Sequence, residues 1–360
     1  MHTDRKKRVT ALFLALLFLP LFSLPAKADE PEAEEESMAF MDTAELDELL
    51  KPMLEHYGAT EKNFGLIFTY TGTGETYMIN PDAAMYGASL YKLPLCMLYA
   101  EKVELGEMDY DTLVQYQPLS TLMEQTLVYS KNDTAASLYY ATNAPYDEYL
   151  LNSYTDLTPE ELPEWFKDFY FSPRFIHQTL MTLYNDPDRF PGIIDYMKQA
   201  SPNYFFRKNL EGQYEVAQKY GEFEGVLHTA GIIYTPTPII LVVMCDRMPY
   251  QLEAIEELGE FFAEYSLTMD ERREAMEAEK AAEEQARQEA EALAAEQAAE
   301  GKAAAEAAAE LEAQLRAKED AHAALMLQIR NTAVLVVVAG LTAFVSLLLL
   351  KKLKSSEKET

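Results

Sequence analysis

Two uncharged, mostly apolar runs bracket the chain, Ala11–Leu24 near one end and Ala333–Leu350 near the other. Between them the pattern changes period several times. Leu46, Leu49, Leu50, Met53 and Leu54 recur at helical spacing within 43–57. Phe64–Tyr70 is rich in aromatic and aliphatic residues, Gly72-Thr73-Gly74 supplies a turn, and Glu75–Ile79 returns. That pattern predicts a hairpin over Asn63–Asn80. Residues 89–212 are mostly helical in pattern, with Leu93, Leu95, Met97 and Leu98 in one helix and Phe175–Tyr184 in another. Strand signals resume at Gln213–Lys219, Val226–Tyr234 and Ile239–Met244, and Leu252–Tyr265 closes the region as an amphipathic helix. Short connections between strands favour antiparallel pairing. The prediction is an α+β domain: an antiparallel sheet built from both ends of the domain, with flanking helices and a helical insertion.

From Asp270 to about Leu325 the composition shifts to Ala, Glu, Gln, Arg and Lys, all strong helix formers, with Gly301 the only glycine. Leu293, Leu311 and Leu315 are too sparse for a sustained heptad seam. A mostly solvated single-helix stalk is expected. A weak coiled coil, with weak self-association through the stalk, is the alternative.

The apolar runs assign the ends. Arg5, Lys6, Lys7 and Arg8 precede the first run, and Ala26-Lys27-Ala28 offers an A-x-A cleavage site, so residues 1–28 read as a secretory signal peptide. Residues 29–42 form an acidic leader, 43–268 the globular domain and 269–330 the stalk. The run 333–350 carries no charge over 18 residues and suits a transmembrane helix. Lys351, Lys352 and Lys354 then keep the tail 351–360 in the cytoplasm. The expected location is the cell membrane, single-pass, with the domain outside.

Charge and composition narrow the chemistry. Lys+Arg 30 against Asp+Glu 60 gives a net charge of −30, which argues against a nucleic-acid partner. Apolar residues at 49% and aromatics at 11% require a packed core. Two cysteines exclude a disulfide scaffold and a cysteine-rich zinc site, and five histidines argue against a His-rich metal site. No metal or cofactor is expected. Cys96 and Cys245 read as buried small hydrophobes, and their pairing is left open.

Three short patterns carry candidate chemistry. Ser89-Leu90-Tyr91-Lys92 puts a hydroxyl near the positive end of a helix and an amine one turn on, on the same face. A buried amine there sheds its proton and serves as base toward the hydroxyl. The plainer reading makes Ser89 an N-cap and lets Lys92 snorkel. Ser130-Lys131-Asn132 sets a hydroxyl and an amide two residues apart, suited to a proton relay and a substrate amide contact, or to ordinary turn chemistry. Lys219-Tyr220-Gly221 ends a predicted strand, with a positive charge and a glycine that lets backbone approach a ligand.

In this order, S-x-x-K, S-x-N and K-x-G resemble the signature set of the class A β-lactamase-like, penicillin-recognising serine hydrolases. Gly74–Pro81, His228–Tyr234 and Val242–Met244 are similar to that family's strands. The resemblance covers roughly residues 43–266 and implies the fold shared with penicillin-binding D,D-peptidases. It implies Ser89 as acylated nucleophile, Lys92 as general base and Ser130 as proton shuttle. Asn132 would bind the substrate amide and Lys219 its carboxylate, beside Tyr220 and Gly221. The backbone N–H groups of Ser89 and Glu222 would form the oxyanion hole. The implied substrate is a β-lactam or a peptidoglycan peptide. The alternatives are a D,D-peptidase or esterase of the same fold, and a catalytically weak cell-wall-binding sensor. Two features depart from the pattern. Tyr220 stands where the family has Thr or Ser. The candidate deacylation bases Glu160 and Glu161, with Glu164 nearby, lie around Pro163, in a segment that also reads as a helix capping box.

Overall fold

Phe64–Tyr70 (β1) folds back onto Thr76–Ile79 (β2) in antiparallel register, Leu66 opposite Ile79 and Thr69 opposite Thr76. The hairpin expected over Asn63–Asn80 is present. On its other side β1 pairs with a strand from the far end of the domain, Phe64 opposite Cys245. In the computed structural model, which describes residues 40–142, 154–155 and 169–356, this joins the first and last parts of the domain at the centre of one sheet. The chain divides into two units, residues 1–273 and 274–360.

In the first unit, Met85–Tyr86 (β3) leads into a helical region of Lys92–Glu104 (α2), Leu119–Leu127 (α3) and Asn132–Ala141 (α4). These follow Thr43–His56 (α1) in sequence. Leu113–Val114 (β4) and Gln117–Pro118 (β5) form a small hairpin, and Tyr170–Phe171 (β6) pairs with β3. Pro173–Asn185 (α5), Ile193–Lys198 (α6) and Phe206–Leu210 (α7) precede the closing strands Glu215–Phe223 (β7), Val226–Tyr234 (β8) and Ile239–Asp246 (β9). The five-stranded sheet runs β2-β1-β9-β8-β7, antiparallel throughout, so β7 is an edge. The expected α+β architecture is the one observed.

β9 shows why the sheet is near-continuously apolar. Ile240, Val242 and Met244 face one core, with Leu93, Leu95, Leu122, Phe175 and Leu180. Ile239, Leu241, Val243 and Cys245 face the other, with Leu46, Leu50, Leu258 and Phe262. A strand covered on both faces has no polar alternation to show. Cys96 lies in the first core and Cys245 in the second, and both are free, buried thiols.

One boundary moves. The sequence placed Lys219-Tyr220-Gly221 at a strand end, whereas β7 continues to Phe223. Glu222 and Phe223 pair across to Leu227 and Val226. Cross-strand pairing overrides the weakening a glycine brings to a strand.

Gln251–Ser356 (α8) is one helix, where the sequence suggested a closing helix followed by a separate stalk. Within the first unit it buries Ile255, Leu258, Phe262 and Met269. Asp270 there accepts from the Tyr70 hydroxyl at 2.6 Å and the Thr237 hydroxyl at 2.5 Å. Arg272 pairs with Glu45 at 2.6 Å. In the second unit every residue from Glu277 to Lys351 is exposed. Pairs such as Arg316 with Glu312, at 2.6 Å, support that helix one turn apart. Its apolar stretch reaches a mean hydropathy of 2.8 with none of it buried, and is long enough to cross a membrane.

Candidate active site

Ser89 sits in a single 3₁₀ turn, Ala88–Tyr91, that runs directly into α2 at Lys92. β3 delivers the chain to this turn, and Gly221 on the edge strand β7 comes close beside it. A Cβ on Gly221 would stand 2.9 Å from the Gly87 carbonyl oxygen and 3.1 Å from the Ser89 nitrogen. Only a glycine lets the strand lie this near the serine turn. Among the described residues β7 lies at the sheet edge, with a strand partner on one side only, and Glu222 follows Gly221 there.

Lys92 is fully buried although charged side chains rarely are. It donates to the Ser130 carbonyl at 2.6 Å, to Asn132 Oδ1 at 2.7 Å and, at 3.4 Å, to Ser130 Oγ. The connection between α3 and α4 makes this possible. Ser130 adopts a left-handed backbone, φ 54°, uncommon for a residue with a side chain, and both its carbonyl and its hydroxyl meet the amine. Asn132 opens α4 and turns its side-chain oxygen to Lys92. The plainer snorkelling reading of Lys92 is thereby excluded, because snorkelling keeps the ammonium in water.

Lys219 reaches the same hydroxyl from the strand side, at 2.9 Å from Ser130 Oγ, and donates to the Tyr220 carbonyl at 2.6 Å. Its ammonium lies 4.4 Å from the centre of the Tyr220 ring. Among the described residues neither lysine has a carboxylate partner within ion-pair distance. Burial pushes Lys92 down to about 8, against the weaker opposing pull of Cys96 and Asp133. Burial, and then the Lys92 charge, hold Lys219 well below the ordinary lysine range. Burial raises the Tyr220 phenol, with the Ser130 hydroxyl beside it pulling the other way. The arrangement can take a proton at Lys92 and pass one through Ser130.

The fold therefore gathers Ser89, Lys92, Ser130, Asn132, Lys219, Tyr220 and Gly221 from two helix starts, one loop and one strand. Glu160, Glu161 and Glu164 lie outside the described residues. Phe205 was not foreseen. Its ring stacks on Tyr220, centroids 4.7 Å apart and planes 20° apart. Tyr204-Phe205-Phe206 belongs to no motif singled out in the sequence, and the Phe205 backbone, φ 64°, ψ −139°, turns the middle ring to the strand. A rim of Tyr86, Tyr170 and Phe223 was missed too, with Tyr86 5.3 Å from Phe223 and 5.7 Å from Tyr170. These rings come from separate segments, so no spacing announces them.

Residues 45–265 match the family model described as the beta-lactamase enzyme family. No protein of curated function matches the chain. Among solved structures, a reconstructed ancestral class A β-lactamase is similar at TM-score 0.53 and 21% identity, over 61% of this chain and 99% of that one. A β-lactamase from Burkholderia vietnamiensis is similar at TM-score 0.53 and 17% identity, over 61% and 96%. A protein titled PBP-A is similar at TM-score 0.50 and 17% identity, over 61% and 96%. At these identities the likeness speaks for the fold.

Proposed function

The chain belongs to the beta-lactamase enzyme family, and from that premise we propose that it is an exported, membrane-anchored serine hydrolase that forms an acyl-enzyme at Ser89. The observation that carries the reading is the buried Lys92 amine, one turn from Ser89 and bonded to Ser130 and Asn132. The neutral amine takes the Ser89 Oγ proton as Oγ bonds to the substrate carbonyl carbon. The oxyanion is met by the Ser89 and Glu222 backbone N–H groups. As the tetrahedral intermediate collapses, the bond to the leaving nitrogen or oxygen breaks. Ser130 supplies that atom with a proton and is replenished from Lys92, whose Nζ lies 3.4 Å away. Asn132 keeps its amide N–H groups for the substrate's own amide. Glu160 or Glu161 would activate the deacylating water.

The substrate is a β-lactam or a peptidoglycan-related amide. An esterase on the same fold is the second reading, favoured by Tyr220 beside Lys219. The signal peptide 1–28 and the span 333–350 would put the domain outside the membrane and the tail 351–360 in the cytoplasm. Protease added to spheroplasts should then remove the domain, and full protection would refute the topology.

The catalytic test uses the full chain in detergent. A fluorophosphonate should label wild type and leave Ser89→Ala unlabelled; equal labelling of both rules out the assignment. Fluorescent penicillin should label slowly and persist through a chase. Rapid loss of label, abolished by Glu160→Gln or Glu161→Gln, would instead identify an efficient β-lactamase.

A further inference from the structure

We propose that the substrate acylating Ser89 carries no carboxylate facing Lys219: the site takes a neutral ester or amide, with an apolar or aromatic group against Tyr220 and Phe205. This rests on the acyl-enzyme reading above and names its substrate class.

A lysine ammonium has three N–H donors. On Lys219 one goes to Ser130 Oγ at 2.9 Å and one to the Tyr220 carbonyl at 2.6 Å. The remaining direction is faced by the Tyr220 ring, 4.4 Å from centroid to nitrogen. The side chain is 0% exposed. An incoming carboxylate therefore finds a buried ammonium with two of its three donors already placed and an aromatic ring beside it.

The ring is held in place from behind. Phe205 stacks on it at 4.7 Å, and the Phe205 backbone occupies a region that residues with a Cβ seldom enter. The preceding carbonyl, of Tyr204, accepts from Gln218 Nε2 at 2.9 Å, which ties this segment to β7. A strained residue kept against the strand points to a fixed wall.

Among the described residues of the first unit the guanidiniums are engaged elsewhere. Arg174, Arg189, Arg247, Arg272 and Arg273 each pair with a carboxylate. Arg207 is spent on the carbonyls of Met197, Lys198, Ala200 and Val216. Exposed Glu222 follows Gly221 on the edge, and the chain carries a net charge of −30, so the field repels an anionic ligand. Lys219 becomes a positioning residue for the Ser130 hydroxyl.

The experiment compares benzylpenicillin with its methyl ester on the full-length protein in detergent, with a fluorophosphonate as a carboxylate-free control. Intact-protein mass spectrometry gives the rate of adduct formation at Ser89. Wild type should react about tenfold faster with the methyl ester. Tyr220→Thr uncovers Lys219 and the buried, unpartnered hydroxyl of Thr229 across the strand pair, and should shift the preference about tenfold or more toward the free acid. Phe205→Leu removes the stacking ring without altering β7 and should shift it the same way. A wild-type preference for the free acid, or none, overturns the inference. So does fluorophosphonate labelling with no acylation by the methyl ester, which leaves the serine hydrolase reading intact. No labelling by the fluorophosphonate removes that reading, and the inference with it.

Discussion

The site has two walls of different kinds. The helical wall, Ser89 to Asn132, presents polar groups in the order its motifs announce, and its lysine is bonded to the loop that carries the relay hydroxyl. The strand wall, Lys219 to Gly221, keeps the lysine and the glycine but closes the space beside them with stacked aromatic rings. In the mechanism proposed above, the first wall serves proton transfer whatever the acyl donor, and the second selects which donor reaches the serine. On that reading reactivity and selectivity rest on different elements of the fold, and each can be perturbed alone.

The largest perturbation falls on the helical wall. Ser89→Ala should abolish covalent labelling. Lys92→Ala should slow it about 10²-fold or more, the usual worth of a positioned base. Lys92→Arg should not restore the rate, because a guanidinium keeps its proton. Recovery by Lys92→Arg would show that the base is elsewhere.

Gly221→Ala tests where the walls meet. Its Cβ would press on backbone atoms of Gly87 and Ser89 at 2.9 and 3.1 Å, which have little room to give. Acylation should fall about 10²-fold, the scale of a small misplacement of reacting groups. Thermal unfolding should reveal a destabilisation of about 1–3 kcal/mol from overpacking. An unchanged rate would separate β7 from the oxyanion hole.

Acidity offers a finer test. Lys92 is lowered to about 8, so the neutral amine gains population as pH rises through that value. Acylation by an uncharged fluorophosphonate should climb toward pH 8 and level off above it. The unfolded chain holds the lysine proton up to about pH 10.4, so it binds more protons than the folded domain between these values. Stability should rise across that window, and Lys219, lowered in the same direction, adds with the same sign. A flat rate profile from pH 6 to 9 would exclude Lys92 as base.

The smallest effect belongs away from both walls. Glu45→Ala breaks the part-exposed pair with Arg272, worth about 0.2–1 kcal/mol, and should leave acylation unchanged. A slower rate in this variant would couple the Arg272 turn of α8 to the site.

The sequence determined this protein's strands, its helical middle and the residue types of the helical wall. It could do so because periodicity and short motifs are local: Ser89 and Lys92 share a helix face at any tertiary arrangement. It also carried the apolar run at 333–350, which needs only length and lack of charge. Tertiary structure decided the rest. β7 runs through Gly221 because β8 pairs with it beyond Lys219. The two lysines meet at one hydroxyl only because a left-handed Ser130 presents it between a helix and a strand distant in sequence. In the sequence Tyr220 replaces the hydroxyl that would help Lys219 seat a substrate carboxylate, but the position of its ring is not written there. Phe205, from another segment and in a backbone conformation no pattern encodes, stacks on its ring, a contact only the folded chain makes.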